Sequence, residues 1–399
     1  MDALPEKYDA DEVMEEQMER LVEMVEQSRK TTFFLGAGIS RSAGIPTYRG
    51  KDGIRTKQGR RKKKKRGGSM KTAVPTAAHR AILELMENGY AHFVATQNLD
   101  GLERKTGIHP SHLAELHGNR GLERCLSCGK EYIRDYRARN ELRVHVHTTG
   151  RKCVCGTELV DSIINFDEPL HEPVWDAAED ASESSDLIIV LGSSLTVEPA
   201  ASLVAMGKQL VIVNLQDTPY DDEADLRIFG ETDRVMTDLV HALGLTLRPW
   251  VLERRVSIRH GRSARRGVRC VSLRAQDEIG TAVTMCRYAD FKIDHPRSSR
   301  RFFVRTRTEP FIHALDASVS SALGSKTRAA RILCKVRLMV YGNMGEPDVV
   351  IDHELVGPSG VRHYLLVYSP ADKAWSVENA DNADAMPGGQ SVGVGGRKP

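Results

Sequence analysis

The spacing of apolar residues over the first 250 positions predicts helices and buried strands in alternation. Residues 10–29 place apolar side chains at helical spacing with glutamates between them, which is the pattern of an amphipathic helix. Short, continuously apolar runs follow at 31–35, 185–195 and 207–218, and each is followed by small or polar residues. Strands of this kind, separated by helices, are typical of a parallel sheet covered on both faces. Such sheets bind ligands at the carboxyl ends of their strands, where these polar residues fall.

After about residue 250 the pattern changes to short segments in which apolar and polar residues alternate, with turn residues between them. Alternation of this kind is typical of half-buried strands in a meander or a sandwich. We therefore predict a sheet domain over 1–250 and a separate β-rich, basic module over 251–378. The glycine-rich stretch 379–399 has the composition of a disordered tail.

Composition narrows the class of protein. The chain has 399 residues, of which 28% are charged. It contains no run of about eighteen apolar residues, so we expect no membrane span and no membrane partner. The acidic N-terminus lacks the basic and then apolar order of a secretory signal. The seven cysteines are unevenly spaced and do not indicate a disulfide framework, which favours a reducing compartment.

Two basic clusters stand out against a net charge of only +3. One lies at 55–71 and includes the run 60–66. The other lies at 254–307 and holds fifteen Lys or Arg against four Asp or Glu. Such clusters attract nucleic acid or act as nuclear-import signals, and the alternative is a solvated surface. Nucleic acid is therefore a candidate partner.

Four of the cysteines have the spacing of a metal site. Cys125 and Cys128 form a Cys-x-x-Cys pair, and Cys153 and Cys155 follow as Cys-x-Cys, one residue shorter than usual. Two such pairs predict a zinc ribbon, inserted at about 119–165, with one structural Zn²⁺ held by four thiolates. A redox pair is disfavoured, because the first pair lacks a thioredoxin-like setting. Replacement of one thiolate by a histidine, His145 or His147, is the remaining alternative.

Six motifs occur in one order: "GAGIS…GIPTYRG", "TQNLDGL", "ELHGN", "CLSC…CVC", "GSSL" and "VNLQ". Together they resemble the sirtuins, NAD-dependent protein lysine deacylases, over about residues 20–248. The stretches around the cysteines look most like the class IV, chromatin-associated branch. The resemblance implies an α/β fold: a Rossmann-like parallel sheet with helices on both faces, the zinc-ribbon insert, and then the β-rich module. It also implies that NAD is consumed, with nicotinamide and O-acyl-ADP-ribose as products.

The resemblance assigns roles to individual residues. His117 would be the general base, a role that suits the pKa of histidine, while Asn98 and Asp100 would place the nicotinamide for cleavage. A structural histidine and a polar turn cap are the alternatives for His117 and Asp100. The residues expected to bind NAD are Gly36, Ala37, Gly38, Ser40, Arg41, Tyr48, Arg49, Gln97, Asn98, Gly192, Ser193, Ser194, Asn214, Gln216 and Thr232. The glycine turn at 36–40 would bring bare backbone close to a pyrophosphate.

The acyl-lysine substrate would lie between two segments as an added strand. Ile164 and Phe166 would line the acyl channel and Val197 would face it, and the alternative is that all three are ordinary core residues. Three positions depart from the family pattern: Thr47 stands where an aspartate is usual, Arg55 stands where a tryptophan is usual, and Asp167 replaces the glycine of Phe-Gly-Glu.

The resemblance also bears on partners and place in the cell. We expect acylated lysine proteins, histones among them, as substrates and the nucleus, including the nucleolus, as the location, with the cytoplasm as the alternative. The sequence leaves the oligomeric state open. Two other functions stay open: protein mono-ADP-ribosyl transfer, and a nucleic-acid or chromatin scaffold with a weakened NAD site.

Overall fold

The computed structural model describes residues 4–47, 72–139, 145–262, 268–277, 280–294, 301–307, 311–324 and 331–380. Tyr48, Arg49 and the basic run 60–66 lie outside these residues, as do positions 381–399 of the predicted tail. The described residues fall into two compact units, one within Met1–Lys130 and Tyr136–Trp250, the other within Glu131–Asp135 and Val251–Pro399. Among them, no helix is both long and apolar enough to cross a bilayer.

Among the described residues before position 230 there are ten strands. In chain order they are β1 (Thr31–Leu35), β2 (Phe93–Thr96), β3 (Leu113–Glu115), β4 (Leu122–Cys125), β5 (Glu131–Arg134), β6 (Thr148–Lys152), β7 (Glu158–Asp161), β8 (Leu187–Leu191), β9 (Gln209–Val213) and β10 (Leu226–Ile228). The helices in the same part of the chain are α1 (Asp11–Gln27), α2 (Ala77–Glu87), α3 (Leu102–Thr106), α4 (Glu172–Glu183) and α5 (Thr232–Ala242). Short 3₁₀ helices lie at Ala37–Ser40, Pro110–His112, Ala200–Ala205 and Asp221–Glu223.

The first unit is built on a six-stranded sheet in the order β10-β9-β8-β1-β2-β3, and every pair in it is parallel. The central strands β8, β1 and β2 are buried along their whole length, because both faces of the sheet are covered. Phe33 and Leu35 of β1 face a core shared with α1, α2 and α5. Phe34 faces the opposite core, which includes Ala178 of α4 and the 3₁₀ helix that begins at Ala200. The predicted Rossmann-like parallel sheet is confirmed.

A small antiparallel ribbon is inserted between β3 and α4. Within it β7 pairs with β4 on one side and with β6 on the other. The sequence between β4 and β6 includes β5, which pairs in parallel with a strand of the second unit and belongs to that unit. Nothing in the local sequence of β5 indicated this, because strand pairing over about 150 residues leaves no local signal.

The described part of the second unit contains ten further strands and one helix. They are β11 (Leu252–Arg262), β12 (Arg269–Gln276), β13 (Ala282–Thr284), β14 (Cys286–Asp294), β15 (Arg301–Thr306), β16 (Phe311–Ala314), α6 (Ala317–Leu323), β17 (Arg331–Val340), β18 (Val349–Val356), β19 (Gly360–Ser369) and β20 (Ala374–Asn379). One sheet has the order β20-β19-β11-β12-β13-β5, with β16 also paired to β12, and the other has the order β15-β14-β17-β18.

The two sheets of the second unit share one apolar core. Ile258 of β11 and Leu366 of β19 contribute from one sheet, and Phe291, Val336 and Ile351 contribute from the other. The alternation that the sequence shows after residue 250 is thus the inward and outward alternation of sandwich strands. The final strand continues to Asn379, so ordered structure extends beyond the predicted start of the tail.

Candidate active site

The carboxyl ends of β1 and β8 lie so close together that no side chain fits between them. A β-carbon on Gly36 would lie 2.5 Å from the Cα of Ser193, and one on Gly38 would lie 2.5 Å from the Cα of Gly192. Gly192 has a φ of +63°, which glycine adopts at little cost. The N–H groups of Gly36 and Gly38 donate to the carbonyls of Leu191 and Gly192. These hydrogen bonds join the two turns to each other.

The two turns border a cleft of about 1450 Å³. The predicted cofactor residues that line it follow five different strands and are Gly36, Ala37, Gly38, Arg41, Gln97, Asn98, Gly192, Ser193, Ser194, Asn214, Gln216 and Thr232. Ser40 differs from the expectation, because it is fully buried and donates its hydroxyl to the Asp100 carboxylate at 2.8 Å. Arg41 and Arg120 bring positive charge to the same cleft. Arg120 belongs to no motif, so it could not be selected from the sequence.

His117 lies where the loop after β3 meets the cleft, and its imidazole is held in one orientation. Its Nδ1 lies 3.1 Å from the backbone carbonyl oxygen of Gln97. A carbonyl oxygen only accepts, so Nδ1 carries the proton and Nε2 has a free lone pair. Burial lowers the pKa of His117, although the bond to Gln97 acts in the opposite direction. The imidazole is therefore neutral at neutral pH and able to accept a proton.

The turn after β2 presents an amide and a carboxylate to the cleft. Asn98 Nδ2 donates to the carbonyl of Gly36 at 3.1 Å, which ties the ends of β1 and β2 together. Both carboxylate oxygens of Asp100 accept hydrogen bonds from the protein, one from Ser40 and the other from the N–H of Leu102 at 3.0 Å. Asp100 thus caps the start of α3 and lines the cleft as well.

Glu103, in α3, is a fully buried carboxyl group directly behind Asn98. Its Oε1 accepts a 2.7 Å hydrogen bond from Thr96 Oγ1 and lies 3.5 Å from Asn98 Nδ2. Burial, reinforced by the charge of Asp100, raises the pKa of Glu103 to about 8, so the group is protonated at neutral pH. The sequence presented Glu103 as an ordinary helix residue, and only its burial in the structure distinguishes it.

The expected substrate residues lie along the same cleft. Ile164, Phe166 and Val197 all line it, and Phe166 is 59% exposed, which excludes a core role for that ring. The N–H of Ile164 donates to the carbonyl of His117 at 3.0 Å. The expected base is therefore hydrogen-bonded to residues 163–168, the acyl segment. Asp167 has a φ of +70°, the left-handed conformation that explains why a glycine suits this position.

A polar network connects this segment to the ribbon. Arg139 donates to Asp161 at 2.9 Å and to Asn165 at 3.1 Å. His147 lies 3.0 Å from Glu168, which also accepts a 2.6 Å bond from the N–H of Asn165. Burial opposes ionisation of Glu168, but the bonds from Asn165 and the histidines prevail and lower its pKa to about 2. His145 contacts Glu168 as well, so both histidines serve this network.

The four predicted cysteine ligands form one cluster. Their Sγ atoms all lie within 4.8 Å of one another, and the Cys125–Cys155 and Cys128–Cys153 pairs are 3.5 and 3.6 Å apart. A tetrahedral zinc site with Zn–S bonds of about 2.3 Å places its sulfurs roughly 3.8 Å apart. The shortened Cys-x-Cys turn reaches this geometry because Gly156 adopts a φ of +95°. The donor set and its spacing fit a structural Zn²⁺ and leave no position for a catalytic water.

Comparison with known proteins identifies the family. The family model described as "Sir2 family" matches residues 62–199. The NAD-dependent protein deacetylase SRT1 of Oryza sativa subsp. indica is 37% identical over 257 residues, which are 62% of this chain and 52% of that protein. The deacetylase sirtuin-7 of Mus musculus is 38% identical over 257 residues, 61% of this chain and 63% of that protein.

The NAD-dependent protein deacetylase Sirt6 of Drosophila melanogaster is 33% identical over 255 residues, 61% of this chain and 80% of that protein. Two features define the class of protein. One is a parallel α/β sheet whose strand ends border one cleft, and the other is the inserted four-cysteine ribbon. The chain belongs to the Sir2 family, the sirtuins, as the six motifs indicated, and it resembles the class IV members. It spans between about half and two thirds of the length of SRT1 and sirtuin-7.

We expect the purified protein to carry one zinc ion per chain and Cys155→Ser to lose it, because three thiolates and a hydroxyl hold Zn²⁺ far more weakly. Metal content by mass spectrometry and thermal unfolding test this together. Cys270→Ser, at a half-buried thiol of β12, is the matched control and should keep both values. Full zinc content in Cys155→Ser would contradict the four-thiolate site.

The raised pKa of Glu103 has a measurable effect on stability. Below about pH 4.5 the carboxyl is protonated in the folded and unfolded states alike, but between 4.5 and 8 only the unfolded state ionises. The wild-type protein should therefore lose stability relative to Glu103→Gln as the pH rises through this window. The difference in melting temperature should grow by several degrees and then level off. A difference independent of pH would contradict the protonated state of Glu103.

Proposed function

We propose that this protein is an NAD-dependent protein lysine deacylase that consumes NAD and releases nicotinamide and O-acyl-ADP-ribose. The observation that carries the proposal is the position of His117, hydrogen-bonded on one side to the cofactor turn through Gln97 and on the other to the acyl segment through Ile164. The names of the relatives, NAD-dependent protein deacetylases, support the same activity.

The residues of the cleft divide into two groups by chemistry. Arg41, Arg120 and the turns after β1, β8 and β9 would hold the diphosphate and the adenosine ribose, and Thr232 would lie near the adenine. Arg41 is paired with Glu6 at 3.0 Å, so a bound diphosphate would replace that carboxylate. Asn98 and Asp100 would orient the nicotinamide end. When bound, NAD supplies an electrophilic ribose carbon that the acyl amide oxygen attacks as nicotinamide leaves.

His117 would then take a proton from a ribose hydroxyl at its free Nε2. The bond from Nδ1–H to Gln97 fixes the tautomer that leaves Nε2 unprotonated, and burial keeps the imidazole neutral. A peptide would lie between the segment 163–168 and the segment around Val197, with the acylated side chain passing Ile164 and Phe166. The zinc ion would be structural, since the four cysteines provide a closed coordination shell.

Mono-ADP-ribosyl transfer uses the same first step and differs in the group that captures the ribose carbon. The neutral base at His117 and the apolar residues along the acyl segment favour deacylation, because transfer to another side chain requires neither. We propose acylated chromatin proteins, histones among them, as substrates and the nucleus as the place of action, from the class IV resemblance.

A second property, binding of nucleic acid, is supported by the outer face of one sheet of the second unit. Arg259 of β11 and Arg274 of β12 lie on that face, since the residues on either side of each along its strand are buried. Ser272 and Ser257 lie opposite them in register, so neither arginine faces a carboxylate across this strand pair.

The outer face of the other sheet is different, because two of its arginines are paired with aspartates. Arg305 contacts Asp290 at 2.8 Å, and Arg337 contacts Asp348 at 2.8 Å. Unpaired arginines are free to contact phosphates, whereas paired ones must first lose a partner. The face of β11 and β12 is therefore the part of the basic cluster at 254–307 that we propose for nucleic acid. The basic cluster at 55–71 lies outside the described residues.

His117→Ala should reduce formation of deacetylated peptide and O-acetyl-ADP-ribose from NAD and an acetylated histone peptide by about 10²- to 10⁴-fold, the usual effect of removing a general base. His112→Ala, at an exposed histidine outside the cleft, is the matched control and should retain activity. Because the pKa of His117 is lowered, the wild-type rate should persist to pH values below the ordinary range of histidine. Full activity of His117→Ala would contradict this mechanism.

The double substitution Arg259→Ser with Arg274→Ser should weaken binding of duplex DNA or RNA and reduce the slope of log K against log salt by roughly one per arginine. Arg337→Ser, from the paired face, should leave the slope unchanged. Fluorescence anisotropy over a salt series measures both. Equal slopes in the wild type and the double variant would remove this face from consideration.

A further inference from the structure

Glu103 is a titratable group that the proposed reaction does not use. Its Oε1 lies 3.5 Å from Asn98 Nδ2, yet the residue is fully buried and does not line the cleft. Within the described residues its Oε2 has no hydrogen-bond partner. A carboxyl group buried in this way costs stability, since one of its oxygens receives nothing in return. The position of Glu103 beside the Asn98 amide therefore needs a functional explanation.

The hydrogen bonds around Glu103 connect it to Asn98. Thr96 receives a 3.1 Å bond from the backbone N–H of Asn98 and donates its own hydroxyl to Glu103 Oε1 at 2.7 Å. The same Oε1 lies 3.5 Å from Asn98 Nδ2, which also donates to the Gly36 carbonyl at 3.1 Å. Both acceptors around Nδ2 thus belong to the protein.

This arrangement decides which atom of the Asn98 amide faces the ligand. The nitrogen is directed toward Gly36 and Glu103, so the carbonyl oxygen, on the other side of the amide plane, is directed away from them. Asn98 itself lines the cleft. Without an acceptor behind it, an asparagine amide can rotate and present nitrogen or oxygen to the cleft, because the two ends have nearly the same shape.

We propose that Glu103, anchored by Thr96, is a positioning residue that fixes the Asn98 amide with its oxygen toward the nicotinamide end of the cleft. This inference rests on the proposed function for the identity of the ligand, but the hydrogen-bond arrangement itself does not. An acceptor at Oε1 is sufficient for the role, so a neutral side chain with the same oxygen should replace Glu103.

The charges around Glu103 are compatible with a neutral group. Asp100 and Glu115 face it and raise its pKa. The carboxylate of Glu115 is paired with Arg104 at 2.8 Å, and His79 of α2, whose pKa burial lowers to about 4, is neutral and interacts with Asp100. Arg120 interacts with Asp100 as well. The carboxylates of Asp100 and Glu115 therefore both lie near Glu103, and a protonated Glu103 adds no third negative charge.

Two substitutions separate positioning from folding. Glu103→Gln keeps an oxygen acceptor at the same place, and Glu103→Leu fills the same space without one. The first readout needs no turnover: the solvent exchange of the Asn98 side-chain NH₂, observed by NMR in protein labelled with ¹⁵N-asparagine and assigned by its loss in Asn98→Ser. We expect wild-type exchange in Glu103→Gln and at least about tenfold faster exchange in Glu103→Leu, the effect of losing about 1.4 kcal/mol of restraint.

The second readout is a comparison of kinetics with binding. In Glu103→Leu the kcat for nicotinamide release should fall by about 10- to 100-fold, as expected when a reacting group is misplaced by a fraction of an ångström. The affinity for ADP-ribose, which lacks nicotinamide, should stay at the wild-type value. Glu103→Gln should restore kcat. Glu84→Leu, at a buried glutamate of α2 outside the cleft, is the matched control for loss of a buried carboxyl group.

Three results would overturn the proposal: unchanged amide exchange in Glu103→Leu, a loss of ADP-ribose affinity that parallels the loss of kcat, or a Glu103→Gln variant as impaired as Glu103→Leu. If Glu103→Leu does not fold, Thr96→Val removes the anchor with little change in volume and should also accelerate exchange. If the wild-type protein releases no nicotinamide, the proposed function fails, and the exchange data still decide the positioning role.

Discussion

The contact between the glycine turns at the ends of β1 and β8 sets the geometry of the whole cleft. Because Gly36 and Gly38 lie against the backbone of Gly192 and Ser193, with no room for a β-carbon, the two strand ends are held at van der Waals distance. The turn after β2 is then fixed to them through Asn98 and Gly36. One backbone contact thus determines where the cofactor residues and the proposed catalytic residues lie relative to one another.

The substrate side depends on a second set of bonds, which begins in the ribbon. Arg139 and His147 hold Asp161, Asn165 and Glu168 in place, and these residues shape the loop that carries Ile164 and Phe166. The four-cysteine cluster closes the same ribbon. A structural metal remote from any reacting atom can therefore affect substrate binding, since loss of the ribbon fold would release the acyl segment.

Much of this arrangement could be predicted from the sequence, and the remainder has a physical explanation. Continuous apolar runs indicated the parallel sheet, and the cysteine spacing indicated the metal site. Both could be predicted because each signal lies within short stretches of the sequence. The burial of Ser40 and Glu103 could not be predicted, since it depends on partners that the fold brings from other segments. The pairing of β5 with β13 is a contact between segments about 150 residues apart, which no local pattern reports.

The central claim is that the cleft transfers an acyl group from lysine to ADP-ribose. Mass spectrometry of all products, after reaction of the protein with NAD and an acetylated peptide, tests it most directly. The account predicts one nicotinamide and one O-acetyl-ADP-ribose for each lysine deacetylated, with no mass added to the peptide or the protein. A peptide that keeps its acetyl group and gains an ADP-ribosyl group would contradict it.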